Sequence, residues 1–234
     1  MRTREHKRGF MVFKDKNEDD ALMRVARVKS QATLSEPQQQ TIATYDRTSK
    51  KYAEINSTIR FWEVQQEEFT SFLSGTKILD AGCGHGRDTK DFIAENYDVT
   101  SIDLSEGLLE EAKRRVPNGN FIKMNFSDLI FPDKSFDGLW CAAAFLHIPK
   151  SDAENVLANF KRVLNKNGVL FMSVKSGEGE VIKKDSDGNV RFFANYTKSE
   201  LEELVGKTFD ILKIYERADH YGQGWICVFA KPKA

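Results

Sequence analysis

The chain has 234 residues, of which 40% are hydrophobic and 30% charged, and its 35 basic residues balance 35 acidic ones. This composition is ordinary for a globular protein, and the length suits one α/β domain with a modest appendage. A formal charge of zero provides no global field that would favour nucleic acid or a membrane surface.

The cysteines and the apolar runs indicate where the protein works. Three widely spaced cysteines form no CxxC pair, which fits a reducing cytosol better than a disulfide framework or a zinc site. No apolar run approaches the ~20 residues of a membrane-spanning helix. We therefore expect a cytoplasmic protein without a membrane partner, and we predict no metal site.

The first 40 residues are predicted to form a basic, mobile arm. Residues 1–30 carry nine Lys/Arg against five Asp/Glu. Within them, EDDALMRVARVK indicates one amphipathic helix, and the polar stretch SQATLSEPQQQ that follows is interrupted by Pro37. The folded domain is expected to span residues 41–234, and the basic arm offers a possible contact for nucleic acid.

Helical and strand patterns alternate along the first half of this domain. A helix is predicted in STIRFWEVQQEEFTSFLSG, ending at Gly75, and a short buried strand in KILDAG. RDTKDFIAEN then predicts a helix and YDVTSIDLS a second strand. SEGLLEEAKRRV predicts a helix with Ser105 as its N-cap. NFIKMNF and FDGLWCAAAF are predicted as strands three and four.

The second half continues the alternation and ends in two strands. SDAENVLANFKRVLNKNG predicts a helix with a capping box from Ser151 to Glu154 and an end at Gly168. GVLFMSVK is predicted as strand five, and a second capping box, Thr197 to Glu200, begins the helix TKSELEELVGK. The last two strands, FDILKIYERAD and WICVFAKP, are joined by too short a connection for a crossover, so they must be antiparallel.

The alternation predicts an α/β fold with a doubly wound, Rossmann-like sheet, mostly parallel with an antiparallel C-terminal strand pair. Ligands of such sheets bind at the carboxyl ends of the strands, near the topological switch point. The stretch KILDAGCGHGRD lies there, and Gly82, Gly84 and Gly86 permit a sharp turn with main-chain amides open to a ligand. A dinucleotide motif would place its third glycine at position 87, where Arg87 stands, so a pyrophosphate fits poorly.

Two carboxylates flank the predicted pocket. Asp80 ends the first strand, and Asp103 ends the second, where an acidic residue can accept hydrogen bonds from ribose hydroxyls. A nucleoside pocket without a phosphate binder suits a cofactor that carries an amino acid tail and a positive charge.

From about residue 41 the chain resembles class I S-adenosylmethionine-dependent methyltransferases, because several motifs similar to theirs occur in the same order along the sequence. ILDAGCGHGRD is similar to the family motif that cradles the methionine moiety, VTSIDLS to the motif with the ribose-binding acid, and CAAAFLHIPK to the loop that faces the reacting methyl. The resemblance implies a methyltransferase of the small-molecule type that binds S-adenosylmethionine and releases S-adenosylhomocysteine. It implies methyl transfer to a nitrogen or oxygen of a small-molecule acceptor by in-line displacement.

The resemblance also implies which residues bind the cofactor. Asn125 stands where relatives usually carry an acidic residue beside adenine, and its amide can still bond the adenine amino group while Phe126 packs on the purine face. Tyr45 and Tyr52 lie in a segment that resembles the one closing over the cofactor, with helix packing as the alternative. The predicted cofactor-binding residues are Asp80, Gly82, Cys83, Gly84, Gly86, Asp103, Leu104, Asn125, Phe126, Cys141, Tyr45 and Tyr52.

His147 is the candidate catalytic residue because it follows strand four, where the family often has a histidine facing the methyl donor. Three roles are open for this histidine: general base, packing residue and substrate-positioning residue. The long insertion over residues 175–196 is either part of an acceptor pocket or a plain hairpin, with Glu178, Arg191, Phe192 and Tyr196 as its candidate residues.

Two other functions remain open at this point. One is an RNA-directed methyltransferase that uses the basic N-terminal arm to gather phosphates. The other is a non-catalytic S-adenosylmethionine-binding partner subunit.

Overall fold

A computed structural model describes residues 34–57, 61–219 and 221–234. Within these ranges the helices are α1 (Glu36–Asn56), α2 (Glu63–Phe72), α3 (Arg87–Ala94), α4 (Glu106–Arg115), α5 (Ala153–Val163) and α6 (Lys198–Gly206). The strands are β1 (Lys77–Ala81), β2 (Asp98–Asp103), β3 (Asn120–Lys123), β4 (Phe136–Ala142), β5 (Leu164–Lys175), β6 (Glu180–Lys184), β7 (Val190–Ala194), β8 (Phe209–Ala218) and β9 (Gly224–Pro232).

Seven of these strands form one sheet in the order β3-β2-β1-β4-β5-β9-β8. The first five pair in parallel, whereas β9 is antiparallel to both β5 and β8. The predicted doubly wound sheet with an antiparallel C-terminal pair is therefore confirmed. Because β1 lies between β2 and β4, the strand order reverses there, and the loop after β1 starts at the switch point.

The core lies on both faces of the central strands. Trp140 of β4 stacks on Phe171 of β5 with ring centres 4.0 Å apart, and Phe229 of β9 continues the aromatic layer. All three side chains are fully buried. Burial of each large apolar side chain contributes roughly 1.5–3 kcal/mol, so these strands form a rigid base for the loops at their ends.

The first described helix crosses the predicted domain boundary. α1 begins at Glu36, with Pro37 in its first turn, where the missing N–H of proline costs no helical hydrogen bond. Thr41 is buried, and its hydroxyl accepts a hydrogen bond from the Phe192 backbone N–H at 2.9 Å. Residues 36–40 thus belong to a helix of the domain, while the arm and the amphipathic helix predicted over residues 1–33 lie outside the described residues.

Helix α5 starts and ends differently from the prediction. Residues Lys150–Asp152 form a 3-10 turn, and the Ser151 hydroxyl donates to the Asp152 carboxylate at 3.2 Å instead of capping the helix. The predicted capping box at Ser151 is therefore wrong. The helix ends before Leu164, because Leu164 pairs with Phe136 of β4 and is drawn into the sheet. Gly168 consequently lies within β5.

The other two predicted caps are confirmed. Ser105 Oγ accepts a hydrogen bond from the Leu108 backbone N–H at 3.1 Å at the start of α4. Thr197 Oγ1 accepts from the Glu200 N–H at 3.2 Å, and the Glu200 carboxylate accepts from the Thr197 N–H at 2.9 Å. Both caps satisfy N–H groups that the first turn of a helix leaves without partners.

The insertion over residues 175–196 forms a hairpin of β6 and β7 that is separate from the main sheet. The segment is thus a hairpin, and a role of its side chains in acceptor binding stays a prediction. β7 packs on α1, where the Thr44 hydroxyl donates to the Val190 carbonyl at 2.7 Å. None of the described helices is long and apolar enough to cross a membrane.

Candidate active site

A cavity of about 280 Å³ lies at the carboxyl ends of β1, β2 and β4, which is the position predicted for a ligand. The loops that follow these strands form its floor, and α1 contributes a wall above them. The predicted site residues on its lining are Tyr45, Tyr52, Gly82, Cys83, Gly84, Asp103, Leu104, Phe126 and His147.

Gly82 is the position where the loop after β1 needs glycine most. Its φ is +82°, and a Cβ atom there would lie 2.2 Å from the Ala144 Cβ and 3.0 Å from the Phe126 ring. The backbone N–H groups of Gly82 and Cys83 both donate to the Ile102 carbonyl, at 2.8 and 3.0 Å. The loop is thus fastened to the end of β2 and pressed against the loop after β4.

The next two glycines have different surroundings. Gly84 has a φ of +55°, lines the cavity, and leaves open space where a Cβ would be. Gly86 has a φ of +76°, and a Cβ there would lie 3.1 Å from the Ala112 Cβ and 3.3 Å from the Phe121 ring. Gly86 therefore permits α3 to pack closely on α4 and β3, and it is not on the cavity lining.

Asp103 is fixed by the backbone at the end of β2. Its Oδ2 accepts a hydrogen bond from the Gly84 N–H and its Oδ1 from the Ser105 N–H, both at 2.9 Å. Burial raises the pKa of this carboxyl, and the backbone hydrogen bonds partly oppose that shift. Because each carboxylate oxygen has two acceptor positions, Asp103 can also accept hydrogen bonds from a ligand in the cavity.

Asp80 lies behind the glycine loop. It is buried, and its Oδ2 accepts a hydrogen bond from the Thr89 hydroxyl at 2.6 Å. Burial and, to a lesser extent, the nearby Asp88 carboxylate raise the pKa of Asp80 to about 8. The residue joins β1 to α3 and does not reach the cavity lining.

Asn125 and Cys141 are also absent from the cavity lining. The Asn125 side chain accepts a hydrogen bond from the Ser127 N–H at 3.0 Å and caps the turn Phe126–Asp128. Cys141 is fully buried within β4, and burial raises the pKa of its thiol. The structure places both residues in supporting positions, next to Phe126 and Ala142, which do line the cavity.

His147 is tied into a chain of hydrogen bonds. Its Nδ1 lies 2.7 Å from the Phe192 carbonyl oxygen and its Nε2 3.0 Å from the Tyr45 hydroxyl oxygen. Since a carbonyl only accepts, Nδ1 carries the proton, and Nε2 accepts from the Tyr45 O–H. Burial lowers the pKa of His147 to about 4, and burial raises that of Tyr45. This arrangement favours a positioning role for His147, with Tyr45 as the group held in place.

The titration of His147 tests this arrangement. We expect the imidazole to stay neutral down to about pH 4, as measured by NMR of its ring nitrogens. The unfolded value is about 6.5, so the unfolded state binds more protons between pH 4 and 6.5. The stabilisation from His147 is therefore complete above about pH 6.5 and is lost as the pH falls towards 4. His147→Gln should remove this part of the pH dependence, and a titration midpoint near 6.5 in the folded protein would contradict the hydrogen-bond assignment.

An aromatic wall, formed by Phe61, Trp62 and Trp225, was not identified from the sequence. Its three ring pairs meet edge to face, with centres 4.3, 5.5 and 5.8 Å apart, and all three residues line the cavity. The Trp225 Nε1–H donates to the Asp219 carboxylate at 3.2 Å, which fixes the indole. Aromatic residues beside α2 and in β9 are equally typical of a hydrophobic core. The sequence therefore carries no signal that distinguishes these cavity-lining residues from core residues.

Polar residues next to the glycine loop were missed as well. His85, Arg87 and Asp88 line the cavity, and Arg87 Nε donates to Asp88 Oδ1 at 2.7 Å. The Trp140 indole donates to the other Asp88 oxygen at 2.9 Å, so this carboxylate is neutralised within the protein. Burial lowers the pKa of His85 to about 4.

The hairpin residues proposed for an acceptor pocket do not lie on the lining of this cavity: Glu178, Arg191, Phe192 and Tyr196. Phe192 instead supplies the carbonyl that orients His147. Within residues 34–57, 61–219 and 221–234, no group of three His, Cys, Asp or Glu side chains is arranged to hold a metal ion.

Part of this chain is similar to known methyltransferases. Residues 78–168 match the family model described as a methyltransferase domain. The demethylmenaquinone methyltransferase of Thermotoga maritima is 31% identical over 136 residues, which cover 55% of this chain and 58% of that protein. The same enzyme of Clavibacter sepedonicus is 28% identical over 205 residues, 83% of this chain and 79% of that protein.

A solved structure supports the fold assignment. The 1,6-didemethyltoxoflavin-N1-methyltransferase of Burkholderia thailandensis, determined with 1,6-didemethyltoxoflavin and S-adenosylhomocysteine bound, superimposes with a TM-score of 0.70 at 20% identity. The match covers 87% of this chain and 93% of that one. The chain spans little more than half the length, 54–62%, of the first three curated relatives that it matches. Residues 78–168 are thus similar to a methyltransferase domain, and the sheet as a whole has the fold of a solved methyltransferase.

Proposed function

We propose that this protein binds S-adenosylmethionine in the cavity and catalyses transfer of its methyl group to a small-molecule acceptor. The observation that carries the proposal is the hydrogen bond from the Gly84 N–H to the Asp103 carboxylate, which brings the glycine loop and the acidic residue together at the switch point. The third glycine that a pyrophosphate loop requires is replaced by Arg87. A nucleoside with an amino acid tail fits such a site better than a dinucleotide does.

The lining residues fit the parts of this cofactor. Asp103 offers acceptor positions for the ribose hydroxyls, and Leu104 and Phe126 offer apolar surface for the adenine. Gly84 leaves open space beside main-chain amides for the methionine portion. When bound, S-adenosylmethionine supplies a methyl group on a positively charged sulfur.

The chain's own contribution to the reaction is mainly placement. Tyr45 is held by His147, and Ala143 adopts a φ of +54° at the end of β4, which turns this loop into the cavity. Strained residues of this kind often occur at functional sites. Orientation of an acceptor within about 3–3.5 Å of the reacting group can supply several kcal/mol of the barrier. No obligatory base is required unless the acceptor must lose a proton.

The acceptor is proposed to be a small molecule that is methylated on nitrogen or oxygen. The aromatic wall provides an apolar surface for a ring, next to the loops that hold the cofactor. The relatives named for demethylmenaquinone and 1,6-didemethyltoxoflavin are consistent with a small acceptor. The described residues offer no observation that favours RNA or a non-catalytic role over this one.

Methyl transfer in cell extract tests the proposal. The full chain is incubated with methyl-labelled S-adenosylmethionine and extract, and the label is followed by mass spectrometry in separated small-molecule and RNA fractions. We expect labelled product in the small-molecule fraction and a strong reduction with the variant Asp103→Ala. Label in RNA alone would contradict the acceptor class, and no transfer to either fraction would contradict the catalytic activity.

A further inference from the structure

Three cations converge on one phenylalanine beside the cavity. The Lys175 Nζ lies 4.0 Å from the centre of the Phe193 ring, the Lys183 Nζ 5.7 Å and the Arg191 guanidinium carbon 5.7 Å. Phe193 is only 4% exposed, so the ring is a fixed platform. We call Lys175, Lys183 and Arg191 the cation cluster.

The hairpin topology accounts for the convergence. Lys183 of β6 and Arg191 of β7 are direct cross-strand partners, and like charges in that arrangement are destabilising. Because side chains alternate along a strand, Arg191 and Phe193 point to the same face of the hairpin. Lys175, the last residue of β5, joins them from the main sheet.

The cation cluster carries positive charge that no ion pair within the described part of the chain neutralises, and Asp219 attracts only Lys175. None of the three side chains forms an ion pair with a carboxylate among the residues that the structure describes. Burial, and then repulsion by Lys183 and Arg191, lowers the pKa of Lys175 to about 8. An anion bound here would relieve this repulsion.

The cation cluster adjoins the proposed active site on two sides. The Phe193 ring lies 5.1 Å from the His147 ring, and the Arg191 guanidinium carbon lies 5.9 Å from the centre of the Tyr45 ring. Lys175 is paired in register with Trp225 of the aromatic wall. Tyr45, His147 and Trp225 all line the cavity. The cation cluster therefore lies directly beside the lining, although none of its three side chains is on it.

We propose that the acceptor carries an anionic group, a carboxylate or a phosphate, which the cation cluster binds while an apolar ring lies against the aromatic wall. This inference rests on the proposed function, because it identifies the class of acceptor for the same site. Lysine and arginine form short, charge-assisted hydrogen bonds with both kinds of anion. A neutral acceptor would form no ion pair with the three neighbouring cations.

Calorimetric titration tests the preference with three ligands that share one ring. Benzoate, phenyl phosphate and the uncharged benzamide are titrated into the full chain, with and without saturating S-adenosylhomocysteine. At least one anion should bind about tenfold or more tightly than benzamide, as expected when a hydrogen bond to a charged group is gained. The stronger of the two anions identifies the acceptor group as carboxylate or phosphate.

A matched pair of variants separates local binding from net charge. Lys183→Gln should weaken binding of the preferred anion by about tenfold. Lys184→Gln makes the same charge change at the adjacent position, whose side chain points to the opposite face of β6, and should leave the affinity nearly unchanged. Both positions are exposed, so neither change should impair folding.

The possible outcomes separate the two proposals. Equal binding of the three ligands, no binding of either anion, or equal losses from Lys183→Gln and Lys184→Gln would overturn the anionic acceptor. Failure of S-adenosylhomocysteine itself to bind would instead contradict the proposed function. The anion titrations without S-adenosylhomocysteine would still report on the cation cluster in that case.

Discussion

Gly82→Ala is expected to destabilise the protein by about 2–5 kcal/mol, the sum expected from a left-handed alanine and an overpacked contact. The added Cβ would meet the Ala144 Cβ at 2.2 Å, and the φ of +82° is unfavourable for any residue with a side chain. The loops after β1 and β4 would be forced apart, so S-adenosylhomocysteine affinity should also be lost. Thermal unfolding and calorimetry measure the two effects.

Gly84→Ala is the matched control in the same loop. Gly84 also has a positive φ, but its added Cβ meets nothing within 4 Å. The expected destabilisation is therefore only about 1–2 kcal/mol, from the backbone conformation alone. Equal losses of stability in the two variants would show that the contact between Gly82 and Ala144 does not matter.

Asp103→Ala is expected to lower S-adenosylhomocysteine affinity by about tenfold to a hundredfold. The change removes the acceptor proposed for the ribose hydroxyls and leaves the N–H groups of Gly84 and Ser105 without their partner, at a cost of about 1–3 kcal/mol. Asp98→Ala, at the exposed start of the same strand, should leave the affinity unchanged. Unchanged affinity in Asp103→Ala would mean that the pocket for the ribose is elsewhere.

The parts of the site that the sequence predicted are those encoded by local patterns. The glycine loop follows a buried strand directly, and Asp103 ends the next strand, so the parallel-sheet rule brings them together. Asp80 and Gly86 belong to the same motif, yet Asp80 bonds to Thr89 behind the loop and Gly86 relieves packing against Ala112. A sequence motif does not distinguish a residue that lines a pocket from one that supports it.

Residues brought together over long distances in the chain were harder to predict. Tyr45 and His147 are 102 positions apart, and only the fold of α1 over the loop after β4 makes them hydrogen-bond partners. Trp62 and Trp225 meet because α2 packs beside β9, although each alone is typical of a core residue. The helix start at Ala153 was misplaced because the Ser151 hydroxyl bonds within a 3-10 turn, a local competition that the capping pattern does not reveal.

Direct calorimetry of the full chain tests whether the cavity binds a nucleoside with an amino acid tail. S-adenosylhomocysteine and NAD are titrated separately, because both carry an adenosine but only NAD carries a pyrophosphate. We expect one S-adenosylhomocysteine bound per chain and no measurable NAD binding. Tighter binding of NAD than of S-adenosylhomocysteine would contradict this expectation.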